Sequence, residues 1–235
     1  MQVVVIAGSG GIGLSLVKLL CQRADVRHIT ATWHTHRQDF SHPKLTWQQL
    51  DLSDEQQIAG LFKQIDQLDW LINCAGVLHS QQLKPEKSLS QCQADNFMLS
   101  MQLNALPSLL LAKYAAKPLK TSDDAKFVSV SAKVGSISDN RLGGWHSYRS
   151  AKAALNMVLK NIAIEWLRSH PKVCVIAWHP GTTDTELSKP FQRNVPAGKL
   201  LSSQQSASLL LEKLVELTPE NTGQFWAWDG SQIGW

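Results

Sequence analysis

Five apolar residues, Val3-Val4-Val5-Ile6-Ala7, run straight into Gly8-Ser9-Gly10-Gly11-Ile12-Gly13. That junction restricts the fold more than any other stretch of the chain. A short continuous apolar run suits a strand buried on both faces, as in a parallel sheet. The glycines permit a tight turn, and residues 12–20 resume with apolar side chains at helical spacing. Gly8-x-Gly10-x-x-Gly13 matches a dinucleotide fingerprint, in which bare backbone N–H groups approach a pyrophosphate and a helix N-terminus favours its charge. A glycine turn without a ligand has the same composition, so the rest of the chain must decide.

The strand-to-helix alternation continues along the whole chain. Strand patterns at 29–33, 45–50, 68–72, 126–130, 173–178 and 223–228 alternate with helical patterns at 55–65, 95–117, 147–168 and 203–217. This predicts an α/β fold with a doubly wound parallel sheet and helices on both faces; with the dinucleotide fingerprint, a Rossmann-type sheet is expected, of seven strands in order 3-2-1-4-5-6-7. One dinucleotide-binding domain is expected over residues 1–235. Ligands of such sheets lie beyond the carboxyl ends of the strands. Gly8 to Gly13, Asn73 to Gly76, Ser131 and Pro180-Gly181 all fall at that end.

A formal charge of +4 is too mild to argue for nucleic acid and agrees with a small anionic ligand. Four cysteines without metal spacing (21, 74, 92 and 174) point to a reducing compartment. With no signal-like N-terminus and no membrane-length apolar run, a soluble cytoplasmic protein is expected. His34-x-His36 lacks a third ligand, so no metal site is expected. The nine tryptophans are scattered and suit packing, although Trp145 stands where it can wall a pocket.

After the second strand the chain reads Ala31-Thr32-Trp33-His34-Thr35-His36-Arg37, with no acid before Asp39. An acid there would take ribose hydroxyls. Arg37, helped by His34 and His36 next to Trp33, suits a 2′-phosphate instead, which predicts NADP over NAD. Solvated loop residues are the competing reading.

Tyr148 and Lys152 stand one helical turn apart and share a face. A phenol is too weak an acid to exchange protons near neutrality, and a neighbouring ammonium is expected to pull its pKa down. Tyr148 then serves as acid or base toward a carbinol or carbonyl oxygen.

These residues, taken with Asn73-Cys74-Ala75-Gly76, Asp51-Leu52 and His179-Pro180-Gly181-x-Thr183-x-Thr185, resemble the short-chain dehydrogenase/reductase family over essentially the whole chain. The segment from Val134 to Asn140 and the Gly143-Gly144-Trp145 turn are most similar to its C-factor-like branch. The resemblance implies cofactor contacts from Gly8, Ser9, Gly10, Gly11, Ile12, Gly13, Asp51, Leu52, Asn73, Ala75, Gly76, Pro180, Gly181, Thr183 and Thr185. It also implies that Lys152 binds the nicotinamide ribose, that Asn104 holds a water in a proton relay, and that residues 186–200 form a substrate loop. A homodimer or homotetramer is implied too. Pro107 is expected to kink the helix near Asn104, since proline clashes with the carbonyl four residues back.

Two departures stand out. Counted from Gly8, the glycine loop is one residue shorter than the family's Gly-x-x-x-Gly-x-Gly. The family's carbonyl-polarising serine falls at Ala132, so the neighbouring Ser131 is the candidate and Ser136 the second choice. The chain is expected to transfer hydride between NADP(H) and a carbonyl or secondary alcohol. The missing serine motivates a rival: a nucleotide-binding signalling protein of the same fold with weak or no catalysis.

Overall fold

The computed structural model describes residues 1–235 apart from the side chain of Asn194. Strands β1 (Gln2–Ile6), β2 (His28–Trp33), β3 (Leu45–Gln49), β4 (Trp70–Asn73), β5 (Ala125–Val130), β6 (Val173–His179) and β9 (Gln224–Ala227) form one parallel sheet. Two short strands, β7 (Thr182–Thr183) and β8 (Leu200–Leu201), pair with each other outside it. The order in the large sheet is β3-β2-β1-β4-β5-β6-β9. It is the order expected of a Rossmann-type sheet, with β9 as its seventh strand.

Helices cover both faces, and each side has its own core. On one face α1 (Gly11–Gln22) and α6 (Ser203–Glu216) place Leu16, Val17, Leu20, Leu210 and Leu214 against Val3, Val5 and Ile176. On the other, α2 (Glu55–Lys63), α4 (Leu106–Lys120) and α5 (His146–Ser169) bury Ile58, Leu61, Leu111, Leu155 and Leu159 against Val4, Ile6 and Phe127. The central strands are buried on both sides, which explains why β1 reads as unbroken Val-Val-Val-Ile.

The predicted helical stretch at 95–117 is two helices. α3 (Ala94–Asn104) ends at Ala105, and α4 begins at Leu106 with Pro107 in its first turn. Proline is tolerated there because first-turn N–H groups lack helical partners. The break therefore falls directly after Asn104, as Pro107 led one to expect. α2 begins where predicted, with Asp54 accepting from the N–H groups of Gln56 and Gln57. No described helix is long and apolar enough to cross a membrane.

Candidate active site

The glycine loop corrects the sequence reading. Ala7 has φ 56°, in the left-handed region, and stands four residues before Gly11. The loop is thus Ala7-x-x-x-Gly11-x-Gly13, of ordinary family spacing, with alanine where the first glycine falls. Counting glycines hid this, because the spacing is set by backbone dihedrals. The Ala7 N–H donates to Thr32 Oγ1 at 2.9 Å, which anchors the strained residue to β2. Left-handed backbone costs an alanine roughly 1–2 kcal/mol, and the flexible unfolded chain of glycine returns about 0.5–1 kcal/mol of that. Ala7→Gly is expected to stabilise the protein and raise Tm by about 1–4 °C. A lower Tm on thermal melting would refute the strain.

The loop opens onto a cavity of about 340 Å³ beyond the carboxyl ends of β1, β2 and β4. Ser9, Gly10, Trp33, His34, Asp51, Leu52, Ala75 and Gly76 line it, bringing together eight of the predicted contacts from four chain segments. Gly8, Gly11, Ile12 and Gly13 belong to the same turn and helix start, and there the backbone is closely packed. A Cβ on Gly13 would lie 2.3 Å from the Ala7 carbonyl, and one on Gly11 would lie 2.5 Å from the Thr185 methyl. Pro180, Gly181, Thr183 and Thr185 lie beyond β6, and of these Thr185 packs against Gly11 of the loop. Thr183 is buried and donates to the Pro180 carbonyl at 3.2 Å. Arg37 is exposed and is not among the residues lining the cavity, although its neighbours His36 and Gln38 are, and the Gln38 amide donates to the Ser9 carbonyl at 3.0 Å. Asp51 is held below the usual carboxylate range by hydrogen bonds from Ser53, with His34 at 3.7 Å adding to the effect. Among the described residues no group of acids, histidines or cysteines has metal-binding geometry.

At the inner end of the cavity, Gly76 meets the catalytic candidates. A Cβ on Gly76 would stand 3.3 Å from Lys152 Nζ and 3.6 Å from Asn104 Oδ1. Asn104 is buried. Its carboxamide accepts from the Val77 N–H at 2.9 Å, donates to the Val77 carbonyl at 2.9 Å, and donates to the Ser100 carbonyl at 3.0 Å. It therefore pins the turn that carries Gly76. Asn73 is also buried, accepting from the Ala75 N–H and donating to Ser108, whose hydroxyl meets that of Ser129.

Tyr148 and Lys152 lie on the inner face of α5, at 7% and 2% exposure, with Nζ 5.7 Å from the Tyr148 ring centroid and donating to the Val130 carbonyl at 3.0 Å. Their ionisation differs from the expectation. Burial pushes the phenol above its ordinary value and brings the ammonium down to about 8. Desolvation penalises the charged form of each, and mutual attraction acts only when both are charged. The phenol is thereby held in its protonated, proton-donating form beside Lys152.

Neither serine offers a free hydroxyl. Ser131 is buried and donates to Asn156 Oδ1 at 2.6 Å, while Asn156 Nδ2 reaches the Gly135 carbonyl at 3.3 Å. Ser136 is buried and donates to the Gly234 carbonyl. Asn156, four residues after Lys152, went unnoticed as a site residue although Tyr148, Lys152 and Asn156 repeat at helical spacing. Glu86 was also missed. It is buried in the loop after β4, and its carboxylate accepts from the backbone N–H of Ser147 at 3.2 Å and from the Ser147 hydroxyl. Burial alone would raise this carboxyl, but the bonds from Ser147 outweigh it and hold it low. A charge there favours the N-terminus of α5, one residue from Tyr148. No local pattern marks Glu86, because the contact spans 61 residues.

Residues 1–196 match the short chain dehydrogenase family. Benzil reductase ((S)-benzoin forming) of Bacillus subtilis (strain 168) is 30% identical over 196 residues, covering 80% of this chain and 76% of that protein. C-signal of Myxococcus xanthus is 29% identical over 133 residues, covering 57% of this chain and 75% of that protein. The crystal structure of NADPH-bound carbonyl reductase from chicken fatty liver superposes with a TM-score of 0.86 at 22% identity, covering 100% of this chain and 94% of that one. The match reaches from the strained glycine loop past the buried Tyr148 and Lys152, and it places this chain in the short-chain dehydrogenase family of oxidoreductases.

Proposed function

We propose that the chain transfers hydride between NADP(H) and a carbonyl or secondary alcohol, with Tyr148 as proton donor in the reductive direction. The observation carrying this reading is the burial of Tyr148 and Lys152 together on α5, with Gly76 of the glycine-loop cavity lying against Lys152. The cavity and the tightly packed turn suit a dinucleotide: close backbone at the helix start for pyrophosphate, Asp51 and Leu52 toward the adenine end, and Thr183 and Thr185 toward the nicotinamide end. A bound reduced nicotinamide supplies the hydride. Tyr148 gives its proton to the substrate oxygen, and the Lys152 ammonium stabilises the phenolate left behind. Lys152 also has the place to hold ribose hydroxyls. Asn104 fixes Gly76 and Val77 against this pair, and its relay role rests on that position. The commitment of Ser131 to Asn156 leaves the phenol to polarise the carbonyl without a serine partner.

The preference for NADP rests on His34 in the cavity lining, on the exposed Arg37 three residues further along the same loop, and on the NADPH carried by the carbonyl reductase of the same fold. Arg37→Ala is expected to weaken NADPH binding about tenfold or more, the effect of losing a hydrogen bond to a charged group, and to leave NADH nearly unchanged. Titration of both cofactors checks this, and tighter NADH binding by the unaltered protein would overturn the preference. Exposed Met157 and Ile164 on α5 support the reading of a homodimer or homotetramer.

The likeness to C-signal and the engaged serines favour a second reading, a nucleotide-binding signalling protein with little catalysis. A donor lost from such a site costs about 10²–10³ in rate. Screening aldehydes, ketones, 1,2-diketones and quinones with NADPH decides between the two. Cofactor oxidation with any of them supports the reductase, whereas intact NADPH binding without oxidation supports the rival.

A further inference from the structure

Four aromatic rings lead outward from the phenol. Trp145 meets Tyr148 edge-on at 6.4 Å between centroids, Phe191 meets Trp145 edge-on at 5.0 Å, and His79 meets Phe191 edge-on at 5.8 Å. They come from three separate segments: the start of α5, the loop after β4, and the turn Lys189–Asn194 between β7 and β8. His79 Nε2 also lies 3.1 Å from the carbonyl of Glu186, three residues before that turn. His79, Trp145 and Phe191 are half-buried and reachable, unlike the aromatic rings sealed under the sheet.

The backbone supplies a second observation. Gly143 and Gly144 adopt left-handed conformations, and Trp145 continues them with φ 50°. A third glycine would accept that conformation freely, yet the largest side chain occupies it. Strain of this kind gathers at ligand sites, where the side chain's placement is used. Here it sets the indole three residues before Tyr148, with its backbone N–H tied to the Glu86 carbonyl.

Resting on the reductase reading above, we infer that Trp145 and Phe191 form an aromatic clamp that selects carbonyl compounds bearing an aryl or other flat conjugated group beside the carbonyl. Edge-on and offset ring pairs are favoured by the ring quadrupoles. A planar substituent entering between Trp145 and Phe191 replaces their mutual contact with two of the same kind. A saturated ring of equal size presents hydrogens on both faces and gains only burial.

The test pairs acetophenone with cyclohexyl methyl ketone, which are nearly equal in size. Binding is read by saturation-transfer NMR without cofactor and turnover by NADPH oxidation. The unaltered protein should favour acetophenone by about 3- to 10-fold in both readouts, the range for an aromatic pair. Trp145→Gly, which removes the ring and relieves the strain, and Phe191→Leu, which keeps an apolar side chain, should each bring the ratio toward one. Each change should weaken binding and turnover of the cyclohexyl ketone less than those of acetophenone. Equal binding of the two ketones by the unaltered protein, or a preference that survives both variants, would overturn the clamp. Aryl preference in binding would keep the clamp even without turnover of either ketone, and the reductase reading is removed only when the wider carbonyl screen above also gives no cofactor oxidation.

Discussion

Tyr148→Phe is expected to lower the rate of carbonyl reduction by about 10²–10⁴, the contribution of a positioned general acid, while NADPH affinity and Tm stay nearly constant. The ring is the part that packs, against Trp145 and beneath Lys152, and phenylalanine keeps it. Only the proton is lost. Stopped-flow cofactor oxidation beside a cofactor titration separates the two effects, and a fully active variant would end the account. The ionisation of the pair adds a pH signature. The phenol is raised and remains protonated across the neutral range, whereas Lys152 carries its charge only below about 8. Reduction should therefore hold steady up to that point and decline as pH rises through it, because the ammonium that stabilises the developing phenolate is being neutralised. A rate that climbs through pH 8 would mean that phenolate formation limits the reaction.

Periodicity made much of this architecture legible. A strand buried on both faces has no polar face to write into the sequence, so β1 and β6 announce themselves as apolar runs. The Tyr148 and Lys152 pair is legible because a helix turns every 3.6 residues. What escaped the reading has a common physical character. Ala7 and Trp145 adopt left-handed backbone without being glycine, so composition misreports the loop spacing and hides the strain before α5. Ser131 lies at the predicted strand end, but its hydroxyl is directed by Asn156, on a helix 25 residues away. Glu86 acts through a contact between distant segments, and β7 pairs with β8 over two residues each, too few for any alternation to appear. The phenol's acidity depends on solvent exclusion by every element around it, which no spacing encodes.

Gly13→Ala is expected to be the most damaging of the small substitutions, and the contrast with Gly10→Ala gives it meaning. Alanine inside a helix ordinarily gains about 1 kcal/mol over glycine, and Gly13 lies in the first turn of α1. Here the added methyl carbon would stand 2.3 Å from the carbonyl oxygen of Ala7 and 3.0 Å from Gly8 Cα, both backbone atoms with no rotamer to escape into. The strand end or the helix start must move, and overpacking of this kind costs about 1–3 kcal/mol or more. That corresponds to a Tm lower by roughly 3–10 °C in a chain of this size. The same displacement spoils the turn on which the pyrophosphate reading depends, so NADPH affinity should fall with stability. Gly10 differs: its φ of −100° suits any residue, and the nearest atom to an added Cβ is 3.8 Å away. Gly10→Ala should melt like the unaltered protein. If it nevertheless binds NADPH at least tenfold more weakly, the obstruction is to a ligand lying against the loop. If it binds normally while Gly13→Ala fails in both measurements, the glycines at this turn serve the packing of α1 on β1, and the pyrophosphate belongs elsewhere in the cavity.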